Sequence, residues 1–342
     1  MYKLSIDNLN ELFALIGQDS KVYAPIERAG QVEFFLWSVE EKVRLDALNT
    51  VKSAKGFFFP QTEVLYKTKL EGKKIEIEAA EDAEEPTVYF GVRACDVKSF
   101  DVLDKVFLSE PVDSYYAAKR KHGTIVSMAC SKPADTCFCG LFGIDATSPA
   151  GDVVTWIVGD TLYWDSKTEK GEALTVKVKE LLVDADDVEV KKQQTEVKEM
   201  IAKAPLHDLS LEGFGGDALD ELFNSPKWEA LSSACLGCGT CTFVCPTCQC
   251  YDIRDYDSGH GVQKFRCWDS CMYSDFTMMA HGNNRTTQLQ RFRQRFMHKL
   301  VYFPANNDGD FSCVGCGRCL QKCPQSLNIV KVIKALGGKK ND

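Results

Sequence analysis

Two stretches in the last third of the chain share one spacing: Cys235-x2-Cys238-x2-Cys241-x3-Cys245-Pro246 and Cys313-x2-Cys316-x2-Cys319-x3-Cys323-Pro324. Three cysteines two residues apart can curl round three corners of one cubane, while the fourth, followed by proline, turns away to the other. Two such runs in one chain are the bacterial ferredoxin pattern for a pair of 4Fe–4S clusters. The spacing assigns Cys235, Cys238, Cys241 and Cys323 to a first cluster, and Cys313, Cys316, Cys319 and Cys245 to a second. Gly237, Gly239, Gly315 and Gly317 fit this reading, because backbone passing close to an inorganic core adopts φ values that other residues avoid. Zinc also uses C-x2-C pairs, but two zinc sites need only such pairs, not two full runs ending in Cys-Pro. The pattern predicts an electron carrier.

The whole chain bounds the rest. Its 342 residues suffice for two domains with their own cores. Sixteen cysteines would suggest disulfides in a secreted protein. The stretch Met1 to Asp7 has no basic region followed by an apolar one, so the expectation is a reducing cytoplasm with metal-bound thiolates. No apolar run approaches the ~18 residues of a spanning helix. The formal charge of -8 gives no electrostatic reason to expect a nucleic-acid partner.

The fold class read from the pattern is α+β: an N-terminal mixed α/β domain followed by an α-helical ferredoxin-like domain. Ile6, Leu9, Leu12, Phe13 and Ile16 recur at helical spacing. Alternation predicts strands at 31–36 and 74–78, and the runs 87–92 and 124–128 read as buried strands leading into cysteine-bearing loops. Gly159-Asp160 between 153–158 and 161–164 is a hairpin signal. The stretch 191–204 is helix-prone and closed by Pro205. Domain limits are expected at 1–205, with a linker over 206–227 and the ferredoxin domain over 228–342. Beyond the linker, short helices punctuated by glycine are expected, with Trp228 seating them on the rest. Gly213-Phe214-Gly215-Gly216-Asp217-Ala218 satisfies the relaxed dinucleotide fingerprint, but the polar, broken stretch before it is no central strand. Without a nucleotide site, electrons from NAD(P)H must come through a flavin-bearing partner.

Cys95, Cys130, Cys137 and Cys139 form a third set. The strands before Cys95 and Cys130 could lie side by side and present both sulfurs at one sheet edge. Four thiolates there suffice for a third 4Fe–4S cluster or a tetrahedral zinc, and unligated thiols are the remaining reading. Arg93 beside them either offsets cluster charge or makes a structural salt bridge.

The ordered combination of Gly91-Val92-Arg93-Ala94-Cys95-Asp96, Cys137-Phe138-Cys139, Cys245-Pro246-Thr247-Cys248-Gln249-Cys250, Trp268-Asp269-Ser270-Cys271 and Cys313-Val314-Gly315-Cys316-Gly317-Arg318-Cys319 is more specific than any ferredoxin run. With Phe57-Phe58-Phe59-Pro60-Gln61-x-Glu63, it resembles one iron–sulfur electron-transfer family, which serves anaerobic sulfite reductase and, as the β subunit, cytoplasmic sulfhydrogenase. The resemblance spans nearly the whole chain. It implies an electron-transfer component of an anaerobic complex, working beside a flavin- and NAD(P)H-binding subunit. The electrons are then passed to a terminal redox enzyme such as a hydrogenase or sulfite reductase.

Four cysteines remain: Cys248, Cys250, Cys267 and Cys271. Those after Cys245 are expected to pack round the second cluster, a fourth centre being the alternative. The basic stretch Arg291 to Lys299 reads as a helix with Phe292 and Phe296 inward and its arginines solvated or bridged to acids. The competing reading has these cations neutralise the clusters or dock a partner. The overall expectation is relay with no catalytic side chain. The rivals are a catalytic iron–sulfur reductase with substrate at an open cluster corner near Cys95, and a zinc-bearing structural module.

Overall fold

The computed structural model describes residues 1–80 and 85–337. Its largest element is an eight-stranded mixed sheet made of β1 (Tyr2–Ser5), β2 (Lys21–Arg28), β3 (Gln31–Leu36), β6 (Thr87–Arg93), β7 (Gly123–Met128), β8 (Val153–Val158), β9 (Thr161–Ser166) and β10 (Val183–Asp184). The order across it is β10-β1-β9-β8-β7-β6-β2-β3. The segment β2, β6, β7 and β8 is parallel, and the flanking pairs are antiparallel. The parallel centre follows from composition: six of the seven residues of β6 are buried, as in a strand covered on both faces. Phe90, Val126 and Val153 from neighbouring strands pack with Phe13 and Ile16 of helix Leu9–Ile16 in the main core. The helices expected near the start and over 191–204 are present as Leu9–Ile16 and Val188–Ile201.

β6 and β7 lie side by side and both run out toward cysteines. Between Phe90 and Val92 the register slips, and Gly91 there has φ +83°, a conformation that costs glycine little. Helix Ala94–Phe107 begins directly after β6, so Cys95 sits in its first turn. Cys130 follows two residues after β7.

A second sheet joins segments from the two halves of the chain. It has four antiparallel strands in the order β11-β12-β4-β5: β4 (Thr62–Glu71), β5 (Lys74–Ala79), β11 (Tyr251–Asp257) and β12 (Gly261–Trp268). Only helices were expected beyond residue 206, so β11 and β12 are an addition. Six of the seven residues of β11 are exposed, so it carries no buried face that alternation could reveal. It is held by backbone pairing to β12, which in turn pairs with β4. Arg266 of β12 ties the joint further: buried, it contacts both Glu63 and Asp113.

The stretch 206–227 is packed. Leu209 and Leu222 enter the core of the cysteine-rich region, and Gly215 N–H donates to Leu300 O at 3.0 Å. Turns, not a strand, precede Gly213. Trp228 lies in the same core, 2% exposed, donating from Nε1 to Leu222 O at 2.6 Å. No helix among the described residues is long and apolar enough to cross a membrane.

Candidate functional site

Three cavities are lined by cysteines, four in each of the first two and five in the third. Cys235, Cys238, Cys241 and Cys323 line the first, with Met272, Phe292, Phe296 and Leu327 as its apolar walls. Cys245, Cys313, Cys316 and Cys319 line the second. The fourth cysteine of each run thus stands at the other run's cavity. Cys95, Cys130, Cys137 and Cys139 line the third, of about 400 Å³, whose rim adds Lys132, Lys198 and His207.

The cavities are contiguous. Arg295 lines both the first and the second. Cys316 lines both the second and the third. Cys95, Val314 and Cys316 form a small buried cluster with Cys139 and Ile144 packed against it. The sets therefore stand in the order first, second, third, with the second in the middle. Cys238 of the first set is exposed, whereas Cys316 of the middle set is buried.

The contact between the second and third sets is close, and glycine makes it so. Phe138 N–H donates to Gly315 O at 2.9 Å. A Cβ on Gly315 would lie 2.4 Å from Phe138 O, and one on Gly317 2.4 Å from Thr136 O. Both glycines have positive φ, +59° and +79°. What crowds them is the backbone of the loop bearing Cys137 and Cys139. Asn49 adds a hydrogen bond of 2.8 Å from Nδ2 to Cys316 O.

Buried cations surround the thiols. Arg295 is 2% exposed, and its Nη2 donates to Cys241 O at 3.2 Å. Lys299 Nζ donates to Thr247 Oγ1 at 2.8 Å and Ser312 O at 2.9 Å. Burial opposes its charge, but Cys245, Cys248 and Cys313 hold its pKa above the usual lysine value. Arg318 lies between Cys316 and Cys95 and pairs with Asp96. The sequence reading that left the arginines of helix Gln288–Met297 solvated or bridged to acids does not describe Arg295, whereas Phe292 and Phe296 do point inward. The clue is periodic: Arg295 and Lys299 fall at i+3 from Phe292 and Phe296, on the apolar stripe. Arg93 is also buried, and it donates to the carbonyls of Ala47 (3.1 and 2.8 Å), Ala129 (2.7 Å) and Leu45 (2.5 Å), bracing the loop 45–47 against the third set.

The buried thiols are poor acids on their own. Burial pushes Cys241 up to about 11 and Cys313 and Cys139 up to about 12, and raises Cys95 and Cys316 as well. Such thiols become thiolates when a cationic centre binds them. The structure carries signs that fit such a group. A four-iron cubane presents four corners to four thiolates, which is the donor set at each cavity. Two N–H groups of Arg295 are buried without a hydrogen-bond partner, at the wall of two such sets. Donors already reach sulfur: Gln288 Nε2 to Cys235 Sγ at 3.4 Å, and Leu327 N–H to Cys323 Sγ at 3.3 Å. Among the described residues no three Cys, His, Asp or Glu side chains close up as a single bound ion requires.

Three of the four remaining cysteines gather beside the middle set. Cys248 hydrogen-bonds the thiol of Cys245, and Cys250 that of Cys271. Buried Lys55 stands over them, donating from Nζ to Cys248 O at 2.9 Å and lying 3.7 Å above the Trp268 ring. Cys267 lies apart on β12, opposite Asp252.

Residues 234–327 match the family described as a 4Fe-4S dicluster domain. The whole chain is similar to sulfhydrogenase 2 subunit beta of Pyrococcus furiosus, with 32% identity over 333 residues, 97% of this chain and 96% of that protein. No solved structure matches.

Proposed function

The chain belongs to the family of sulfhydrogenase 2 subunit beta, and from that premise we propose that this iron–sulfur electron-transfer protein is a three-station relay. Electrons pass between a flavin- and NAD(P)H-binding partner and a terminal redox enzyme in an anaerobic cytoplasmic complex. The observation that carries this reading is contiguity: one arginine lines both the first and second cavities, and one cysteine lines both the second and third.

When bound, a 4Fe–4S cluster takes up and releases one electron at a time. The protein's part is to hold three such groups in line and set their surroundings. Cys235, Cys238, Cys241 and Cys323 hold the first, Cys245, Cys313, Cys316 and Cys319 the second, and Cys95, Cys130, Cys137 and Cys139 the third. Val314, Phe138 and Ile329 exclude water at the middle station, where Lys299 and Arg318 supply positive charge. Exposed Cys238 at one end and the Lys132–Lys198–His207 rim at the other are the points where partners approach.

Iron and acid-labile sulfide, measured per chain after anaerobic purification, test the reading. About 12 of each means three clusters. About 8 of each would restrict redox chemistry to the two C-terminal sets and leave the Cys95 set to zinc or free thiols.

A further inference from the structure

Helix Gln288–Met297 carries three arginines with three different fates. Arg291 bonds locally, to Arg285 O at 3.0 Å and Gln288 Oε1 at 3.1 Å. Arg293 lies over the Phe223 ring, 3.6 Å from its centre, and donates to Phe223 O. Arg295 turns inward between Phe292 and Phe296. Its electrostatic neighbours are the thiols of Cys241, Cys319, Cys248 and Cys245. Nη2 has the carbonyl of Cys241, while Nε and Nη1 have no hydrogen-bond partner.

A buried guanidinium with two orphaned N–H groups is costly unless negative charge faces it. Here the side chain lines two four-cysteine cavities at once. Each electron that enters a thiolate-bound cluster adds one negative charge, and in a low-dielectric interior the first electron repels the second. A cation at the common wall stabilises the reduced form of each.

We propose that Arg295 is a counter-charge shared by the first and second clusters, raising the reduction potential of both. This rests on the relay reading above. The balance is two one-electron reductions, with both electrons drawn from the partner's reduced flavin and no bond made or broken in this chain.

The test is a redox titration of the full-length chain followed by EPR, with iron and sulfide determined on the same sample. Expected for the unaltered protein are two one-electron reductions, one for each of the two clusters. An interaction signal between two reduced clusters should accompany the second. Arg295→Gln with its full iron should lower both midpoints, each by a tenfold or larger change in the reduced-to-oxidised ratio at a given potential, which is 59 mV for one-electron couples. Arg295→Lys, which keeps a charge and fewer donors, should lower both by less. Unchanged midpoints in an iron-replete Arg295→Gln chain overturn the proposal, as does a fall confined to one of the two. Should Arg295→Gln lose its iron, the Lys chain decides: both midpoints lowered supports the shared role, and one or neither lowered overturns it. A full-length chain that never holds iron at these sets overturns the relay reading instead.

Discussion

Arg318 and Asp96, 222 residues apart in sequence, meet fork to fork in the interior, Nη1 to Oδ1 at 2.5 Å and Nη2 to Oδ2 at 2.7 Å. Arg318 Nε and Nη2 also hold Thr50, at 2.9 Å to its carbonyl and 3.2 Å to its hydroxyl. Asp96 follows Cys95 and Arg318 follows the Cys316 loop, so the pair clamps the third cysteine set to the second. Both side chains are 1% exposed. Asp96→Asn leaves the guanidinium buried without its counter-charge, a change that costs about 3–5 kcal/mol. A lowered denaturant midpoint, with loss of iron from the Cys95 set first, is the expected outcome. An unchanged midpoint would show that the clamp contributes little.

Gly317→Ala should loosen the same joint by a different route. The added methyl lies 2.4 Å from Thr136 O in a backbone held at φ +79°. Overpacking alone costs about 1–3 kcal/mol, and the left-handed conformation adds roughly 1 kcal/mol. The melting temperature should fall, and the Cys137–Cys139 loop should become the first proteolytic site. A wild-type melting curve would count against this contact.

Cys95→Ser and Cys130→Ser separate the third set from the other two. Iron should drop from about 12 to about 8 per chain, with the EPR signals of the two C-terminal clusters kept. Loss of all iron would mean that the three sets assemble only as a unit.

Cys238→Ser and Cys316→Ser, in the assembled complex, should each abolish electron transfer from the flavin partner to the terminal enzyme. Cys316 is the more telling of the two, because it lines both the middle and the third cavity. Full activity in either variant would remove that station from the path.

His298 supplies a pH dependence. Burial, helped by Lys299 and Arg285, holds its pKa down at about 4. The unfolded chain binds that proton near pH 6.5, so between 6.5 and 4 the unfolded state carries more protons and stability falls as pH drops. The loss is on the order of 2 kcal/mol over the window, less than a fully enclosed ring would give. His298→Gln should flatten the slope of stability between pH 7 and 5. An unaltered slope would place the acid sensitivity elsewhere.

The fold was legible where burial is one-sided or complete. β6 and β7 are buried along almost their whole length, and the β8–β9 hairpin announces its turn at Gly159-Asp160. β11 was not legible, because a strand exposed on both faces has no hydrophobic period and is held by backbone bonds from a distant partner. Arg295 could have been found from its position on the apolar stripe of its helix, but Arg291 and Arg293 beside it obscured the pattern.

The sequence by itself made the two runs Cys235–Cys245 and Cys313–Cys323 legible, since spacing of two and three residues is local chemistry that needs no long-range contact to be read. It also made legible the buried strands that lead to Cys95 and Cys130. Only the tertiary structure decided the order of the sets in space, the shared positions of Arg295 and Cys316, and the clamp between Arg318 and Asp96. Those depend on which side chains meet across long separations in the chain. Such meetings are fixed by packing the β12–β4 joint and the glycine-lined loops together, and no local period records them.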